Sequence, residues 1–83
     1  MIHQFHVTLL PDAQALLRVL GLFAQRQIVP HSVICRQQGN GLMAEIEVAD
    51  LHGQEAQILA AKLQQQLLVI DCEYGGKTAN LAA

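Results

Sequence analysis

The stretch at residues 12–27, DAQALLRVLGLFAQRQ, most constrains what this chain can fold into. Its apolar side chains recur at i, i+3, i+4 and i+7, which predicts one stripe of an amphipathic helix: Leu16, Val19, Leu20 and Phe23. Burying four such side chains contributes roughly 6 to 12 kcal/mol of gross stabilisation, so this helix must lie on another layer. Gly21 costs about 1 kcal/mol relative to Ala inside a helix, which predicts close approach of a second surface there.

Composition narrows the class of protein. Eighty-three residues make one small domain, and 52% of them are apolar while only 14% are charged, which predicts burial shared with another chain. A net charge of -2 and five scattered cationic residues argue against a nucleic-acid ligand. No apolar run approaches the roughly 18 residues of a membrane span, and the start of the chain lacks the basic residues of a signal peptide. The two cysteines do not have the spacing of a disulfide framework, which fits a reducing compartment. Together these features make the cytoplasm the expected location.

Alternation of apolar and polar residues predicts four strands, at residues 3–10, 31–36, 42–48 and 68–74. The side chains expected to face inward are Phe5, Val7, Leu9, Val33, Cys35, Leu42, Ala44, Ile46, Val48, Leu68, Ile70, Cys72 and Tyr74. The segment QGNG at residues 38–41 predicts a tight hairpin, because Gly and Asn tolerate positive φ. The glycines at positions 75 and 76 are expected to close the last strand.

Two helices separate these strands. Asp12 is the expected N-cap of the first helix, and Pro30 prevents that helix from continuing. Asp50 is the expected N-cap of a second helix at residues 51–66, whose apolar stripe is Ala56, Leu59, Ala60 and Leu63. The resulting order, βαββαβ, predicts an α+β ferredoxin-like sandwich with sheet order 4-1-3-2 and both helices on one face. Cys35 and Cys72 then lie on opposite edge strands, about 14 Å apart, beyond the reach of a disulfide.

The sequence also resembles a known family. The segment ALLRVLGLFAQRQI at residues 15–28, followed by Ser32, is similar to the ACT domain of the regulatory small subunit of acetohydroxyacid (acetolactate) synthase. A weaker similarity continues through KLQQQLLVIDCEY at residues 62–74. The resemblance implies an ACT-like domain at residues 1–75. Residues 76–83 are small and show no periodicity, which predicts a flexible C-terminal tail.

Such a subunit is not an enzyme. The resemblance implies that it binds and activates the catalytic large subunit of the synthase in branched-chain amino acid biosynthesis. Thiamine diphosphate, FAD and Mg would belong to that partner, and this chain would carry no cofactor. The resemblance further implies a homodimer through the second strand and first helix, with Leu17, Gly21, Leu22, Ser32 and Ile34 at the interface.

In this family, the effector amino acid lies between two protomers. The corresponding positions here are Asp12, Ala13, Gln14 and Ala15 of one chain and Val29, Pro30 and His31 of the other. Free amides at a helix N-terminus attract a carboxylate, which agrees with this placement. The sequence departs from the family pattern, because Gln14 replaces a usual glycine and Val29 a usual asparagine. These departures favour a subunit that activates its partner without sensing a branched-chain amino acid such as valine.

The helix-free sheet face is a second expected surface, of mixed and moderately acidic character. Its residues are His6, Thr8, Ile34, Arg36, Met43, Glu45, Glu47, Asp71 and Glu73. It fits docking to the large subunit and a simple solvated face equally well.

Other classes fit the residues less well. His3 and His6 point to opposite faces of a strand, and His31 with Cys35 lacks further ligands, so no metal site is expected. An RNA-binding module of this topology needs stacking aromatics on the open face, where this chain has His6, Thr8 and two glutamates. A copper chaperone of this fold would need a cysteine pair in the first loop. A freestanding dimeric ACT domain that binds a small amino acid remains the alternative.

Overall fold

A computed structural model describes residues 2–77 of the chain, with side chains at residues 2–75. The elements are β1 (Ile2–Leu9), α1 (Ala15–Gln25), β2 (Ser32–Gln38), β3 (Gly41–Ala49), α2 (Gly53–Gln64) and β4 (Val69–Lys77). All strand pairs are antiparallel, in the order β2-β3-β1-β4. The predicted ferredoxin-like βαββαβ fold and its strand order are confirmed. Within residues 2–77, no helix has the length and apolar character needed to cross a bilayer.

The core lies between the helices and one face of the two central strands. Every second residue of β1, from His3 to Leu9, is buried, and β3 contributes Ala44, Ile46 and Val48 from the same face. Phe5 of β1 meets Phe23 of α1 edge to face, with ring centroids 5.7 Å apart. This geometry favours the attraction between ring edge and ring face. The predicted inward faces of β1 and β3 are therefore confirmed.

Helix α1 begins three residues after Asp12, so the prediction that Asp12 is its N-cap is wrong. The Asp12 carboxylate instead accepts a hydrogen bond from the Gln14 backbone N–H at 2.8 Å and closes a turn just before the helix. The fully buried stripe consists of Ala15, Val19 and Phe23, while Leu16 and Leu20 are only half-buried at its side. The buried stripe is therefore rotated from the predicted one, with Ala15 in the core in place of Leu16 and Leu20.

The end of α1 is a Schellman motif without its usual glycine. The Ile28 N–H donates to the Phe23 carbonyl at 2.8 Å, and the Gln27 N–H donates to the Ala24 carbonyl at 3.0 Å. This pairing requires a left-handed residue after the helix, and Gln27 adopts it with φ 57°. The motif directs the following residues back across the end of α1 toward β2.

Helix α2 begins at Gly53, and the prediction that Asp50 is its N-cap is wrong. His52 is the N-cap residue, with extended backbone angles, whereas Asp50 has φ 59° and lies in the preceding turn. Ala56, Leu59 and Leu63 are buried, as the predicted stripe required, and Ala60 is half-buried.

Strand β4 contains a bulge, which reverses the faces of the sheet on which its first residues lie. Thr8 pairs with Asp71, but Leu9 pairs with Val69, so Ile70 has no partner and its side chain is 56% exposed. The prediction that Ile70 faces inward and Val69 outward is wrong, because the extra residue of a bulge shifts the alternation by one. Cys72 and Tyr74, which follow the bulge, pack against the core as predicted.

The last strand also ends later than predicted. It continues through Gly75 and Gly76 to Lys77, paired with the start of β1, so the expected domain boundary at residue 75 falls inside β4. The rest of the predicted tail, residues 78–83, lies outside the described residues. Both cysteines are free, and they lie on the opposite edge strands β2 and β4, as predicted.

Two glycines differ in what surrounds them. Gly41 pairs with Gln38 across the predicted hairpin, and a Cβ at Gly41 would lie 2.6 Å from the Leu9 carbonyl oxygen. A Cβ at Gly21 would meet nothing within 4 Å. The close approach predicted at Gly21 is therefore not made by the described part of this chain.

This contrast predicts opposite effects of the same substitution. Gly41→Ala must displace backbone and should lower the free energy of unfolding by about 1 to 3 kcal/mol, measured by urea denaturation. Gly21→Ala, the matched control, should raise it by up to about 1 kcal/mol, because alanine is the better helix former. Equal destabilisation by the two substitutions would contradict the described packing at Gly41.

The left-handed residue after α1 gives a second prediction. Gln27→Gly should raise the free energy of unfolding by roughly 1 kcal/mol, because glycine adopts a positive φ without steric cost. Gln25→Gly, inside the last turn of α1, should lower it by a similar amount, about 1 kcal/mol. A loss of stability in Gln27→Gly, followed by thermal or urea unfolding, would contradict the left-handed conformation.

Candidate functional site

The outer edge of β2 is sparsely covered. β2 pairs only with β3, and within it only Ser32 and Cys35 are half-buried. Val33, on the helix side, remains 38% exposed although its partner Ile46 is fully buried. An uncovered edge strand with apolar side chains is a typical site of association with another chain.

A groove runs along this edge between α1 and β2. Its volume is about 560 Å³, within the range of roughly 300 to 1,000 Å³ that is usual for ligand pockets. It is lined by Leu20, Phe23, Ala24, Gln27, Ile28, Val29, Pro30 and Val33. All of these side chains except Gln27 are apolar, so the groove suits apolar side chains and offers nothing to a charged ligand.

Two strongly exposed apolar side chains lie at the groove: Val29 lines it, and Leu17 lies beside it. Leu17, on the outer side of α1, is 69% exposed, and Val29, in the segment after the Schellman motif, is 85% exposed. Leu17 lies one helical turn from Leu20 and two turns from Ala24, so it extends their stripe along α1. We define Leu17, Val29, Val33 and Ile34 with the groove as the α1/β2 edge.

The structure does not bring the predicted effector residues together within one chain. Residues 12–15 precede or begin α1, whereas residues 29–31 follow its end. An 11-residue helix is about 16 Å long, so the two groups lie at opposite ends of α1. Only a second protomer could place the two groups face to face, as the resemblance implied.

The start of α1 offers little room for an effector. Asp12 and Ala13 line a cavity of about 170 Å³ with Pro11, Gln37 and Leu42, which is smaller than usual ligand pockets of roughly 300 Å³ and more. The Gln14 N–H donates to the Asp12 carboxylate, and the Ala15 N–H donates to the Asp12 carbonyl at 3.0 Å. The Asp12 carboxylate therefore already occupies the Gln14 amide at the start of α1.

The residues predicted for the dimer interface do not all lie at one edge. Leu17 and Ile34 belong to the α1/β2 edge, Ser32 is the first residue of β2, and Gly21 is on the outer side of α1. Leu22 packs toward α2, where it lines a cavity with Lys62 and Gln66. Leu20 and Ala24, which were not predicted for the interface, line the groove toward β2. The interface itself stays a prediction.

The helix-free face of the sheet carries the predicted polar set. The strand register places His6 between Glu45 and Glu73, and Thr8 between Met43 and Asp71. On the edge strand, Ile34 pairs with Glu45 and Arg36 with Met43. The Gln4 side chain donates a hydrogen bond to Glu47 at 2.8 Å. In the described part of the chain, no three ligating side chains are grouped in a way that could hold a metal ion.

Neither the His3–Tyr74 pair nor Cys72 resembles a catalytic centre. His3 is buried, and its Nδ1 shares a 2.6 Å hydrogen bond with the Tyr74 hydroxyl. Burial raises the pKa of the Cys72 thiol to about 11, and the neighbouring Asp71 and Glu73 charges add to this rise. The thiol is therefore protonated at neutral pH, whereas a nucleophilic cysteine needs a lowered pKa.

Comparison with known proteins agrees with this fold. The family model of the ACT-like domain matches residues 1–80. The C-terminal domain of the Mycobacterium tuberculosis MgtC protein, solved in solution, has a TM-score of 0.73 at 15% identity, covering 99% of this chain and 93% of that one. No curated protein matches the sequence.

The ACT domain of GTP pyrophosphokinase from Chlorobium tepidum has a similar structure. Its crystal structure has a TM-score of 0.76 at 8% identity and covers 89% of this chain and 96% of that one. Its solution structure has a TM-score of 0.78 at 7% identity, covering 100% and 94%. At such identities, these likenesses show the shared fold alone. Because the family model spans nearly all of the sequence and the fold agrees with it, the chain belongs to the ACT-like domain family.

Proposed function

We propose that this chain is a regulatory module that pairs with a second copy of itself through the α1/β2 edge. ACT domains are in general regulatory and non-catalytic. The observation that carries the proposal is the apolar groove beside an uncovered edge strand, bordered by Leu17 and Val29. Exposed apolar area of this kind is rare on a protein that acts alone.

A twofold arrangement of two copies would bury this edge on both of them. An isologous interface joins the same patch on both copies, so the groove of each copy meets the exposed side chains of the other. Leu17 and Val29 of one chain then provide apolar groups for the groove of its twin. The outer backbone of β2 can pair with β2 of the other copy, which removes the exposed strand edge.

The catalytic subunit of acetohydroxyacid synthase is the proposed partner of this dimer. The segment that carries the resemblance, residues 15–28, forms α1 and its Schellman motif, which are the elements that build the α1/β2 edge. In this role the chain supplies no cofactor, and thiamine diphosphate, FAD and Mg remain with the catalytic subunit in the cytoplasm. Activation then requires tighter binding to the active state of the synthase than to its inactive state.

We further propose that this module does not sense valine at the site between protomers. The Asp12 carboxylate accepts the Gln14 N–H, and the cavity beside it is small. A ligand carboxylate would have to displace the Asp12 carboxylate from the Gln14 amide. Val29, at the opposite wall, has no hydrogen-bonding group to offer.

The dimer can be tested with a matched pair of substitutions. Val29→Glu places a charge at the α1/β2 edge and should convert a dimer into a monomer, measured by size-exclusion chromatography with light scattering. Leu67→Glu is the control, because Leu67 is similarly exposed, at 82%, but lies beyond α2 near β4. A dimer that survives Val29→Glu and dissociates with Leu67→Glu would place the interface elsewhere.

The partner can be tested by co-expression with the catalytic subunit of acetohydroxyacid synthase from the same organism. We expect co-purification and a several-fold rise in synthase activity that valine does not reverse, with Val29→Glu losing the activation. A catalytic subunit that neither binds the chain nor changes in activity would contradict the proposed partner. Inhibition of the complex by valine, lost in Asp12→Ala, would contradict the proposed lack of sensing.

A further inference from the structure

The sheet has two outer strands, and their outer edges differ. β2 pairs only with β3, and β4 pairs only with β1. An outer strand has a row of backbone N–H and C=O groups without a neighbouring strand, and these groups can pair with a strand of another chain. We define the β4 edge as the side of β4 that points away from β1.

A side chain of α2 is bonded to the β4 edge. The Cys72 backbone N–H donates to Oε1 of Gln64, the last residue of α2, at 3.0 Å. Nε2 of the same carboxamide lies 3.4 Å from the Asp71 carboxylate, a long hydrogen bond. Because the Cys72 N–H bonds to α2, it points away from β1 and would otherwise be free at the edge. Gln64 therefore occupies a backbone donor that an added strand would need.

The position of Gln64 along β4 matters for strand pairing. Ile70 is the unpaired residue of the bulge, and bulges interrupt the regular backbone of a strand. N–H groups of successive residues point to opposite sides of a strand, so Cys72 is the first residue after the bulge whose N–H faces the β4 edge. Gln64 covers the point at which a regular added strand would begin.

The backbone of β2 has no comparable cover. Among the hydrogen bonds of residues 2–75, none joins a side chain to the backbone of β2. β2 contains one charged residue, Arg36, whereas Asp71 and Glu73 place two carboxylates next to Cys72 on β4. Like charges brought together across two strands oppose their pairing.

We propose that Gln64 closes the β4 edge to strand pairing, so that copies of this chain pair only through β2. A chain with two open edges would join further copies into a continuous sheet, whereas a chain with one open edge forms a closed pair. The closure of the β4 edge is independent of the proposed dimer, and only the limit of two copies rests on it.

The test is Gln64→Ala in the intact chain. Alanine is the best helix former, so α2 should persist. The Cys72 amide should exchange with deuterium about tenfold faster or more, because it loses its hydrogen bond. In about 0.5 M NaCl, which screens the carboxylates of β4, sedimentation should show a mass that rises with concentration above that of the unmodified chain. Gln65→Ala is the matched control and should change neither, because Gln65 lines the cavity between the helices.

Two double variants separate the edges. Val29→Glu opposes association at the α1/β2 edge, so Gln64→Ala in that background should form a pair of copies and nothing larger. Ile70→Lys added to Gln64→Ala should restore the mass of the unmodified chain, because lysine on an outer strand opposes pairing.

The proposal is overturned if Gln64→Ala keeps the mass of the unmodified chain at every concentration, or if its larger species persist with Ile70→Lys. An unmodified chain that is a monomer would contradict the proposed dimer. In that case a Gln64→Ala pair that Ile70→Lys dissociates would still support the closure of the β4 edge.

Discussion

The fold depends on one-sided burial: two helices must cover a four-stranded sheet from a single face. Phe5 and Phe23 meet at the centre of this layer, and the inward faces of β1 and β3 are fully covered. The outer strand β2 is not covered to the same degree, because the helix layer leaves a groove between α1 and β2. The α1/β2 edge exists because the helices lie on one face of the sheet and the outer strand β2 has no neighbour on its far side.

The parts of the fold that sequence predicts best are the central strands. Residues 5–9 and 44–48 alternate between apolar and polar side chains, because each strand has one buried face and one open face. Local departures from this alternation and from the expected helix ends cannot be predicted from the sequence in the same way. The bulge at Ile70 reverses the alternation, while Asp12 and Asp50 have the chemistry of N-caps but lie in turns before the helices. A cap preference is a local property, whereas the tertiary structure decides where the helix begins.

The candidate site was less predictable than the fold. Its location at the first helix and second strand followed from the resemblance, but its composition did not. Leu20 and Leu16 belong to one predicted stripe, and only the rotation of α1 on the sheet turns Leu20 toward the groove and Leu22 toward α2. The left-handed conformation of Gln27 could not be predicted, because the usual signal for such a helix end is a glycine at that position. The cavity between α1 and α2 is lined by residues from 22–26 and from 62–66, and only the packing of the helices brings these two segments together.

The two sides of α1 differ in chemistry. One side is apolar and lines the groove beside the strand edge, which suits association, while the other side faces Lys62 of α2. The central claim is that the α1/β2 edge is buried by a second copy of the chain. Sedimentation equilibrium of the unmodified protein over a micromolar dilution series tests this claim most directly. The account predicts twice the 9.1 kDa mass of one chain, falling only on strong dilution. A single-chain mass throughout the series would contradict it.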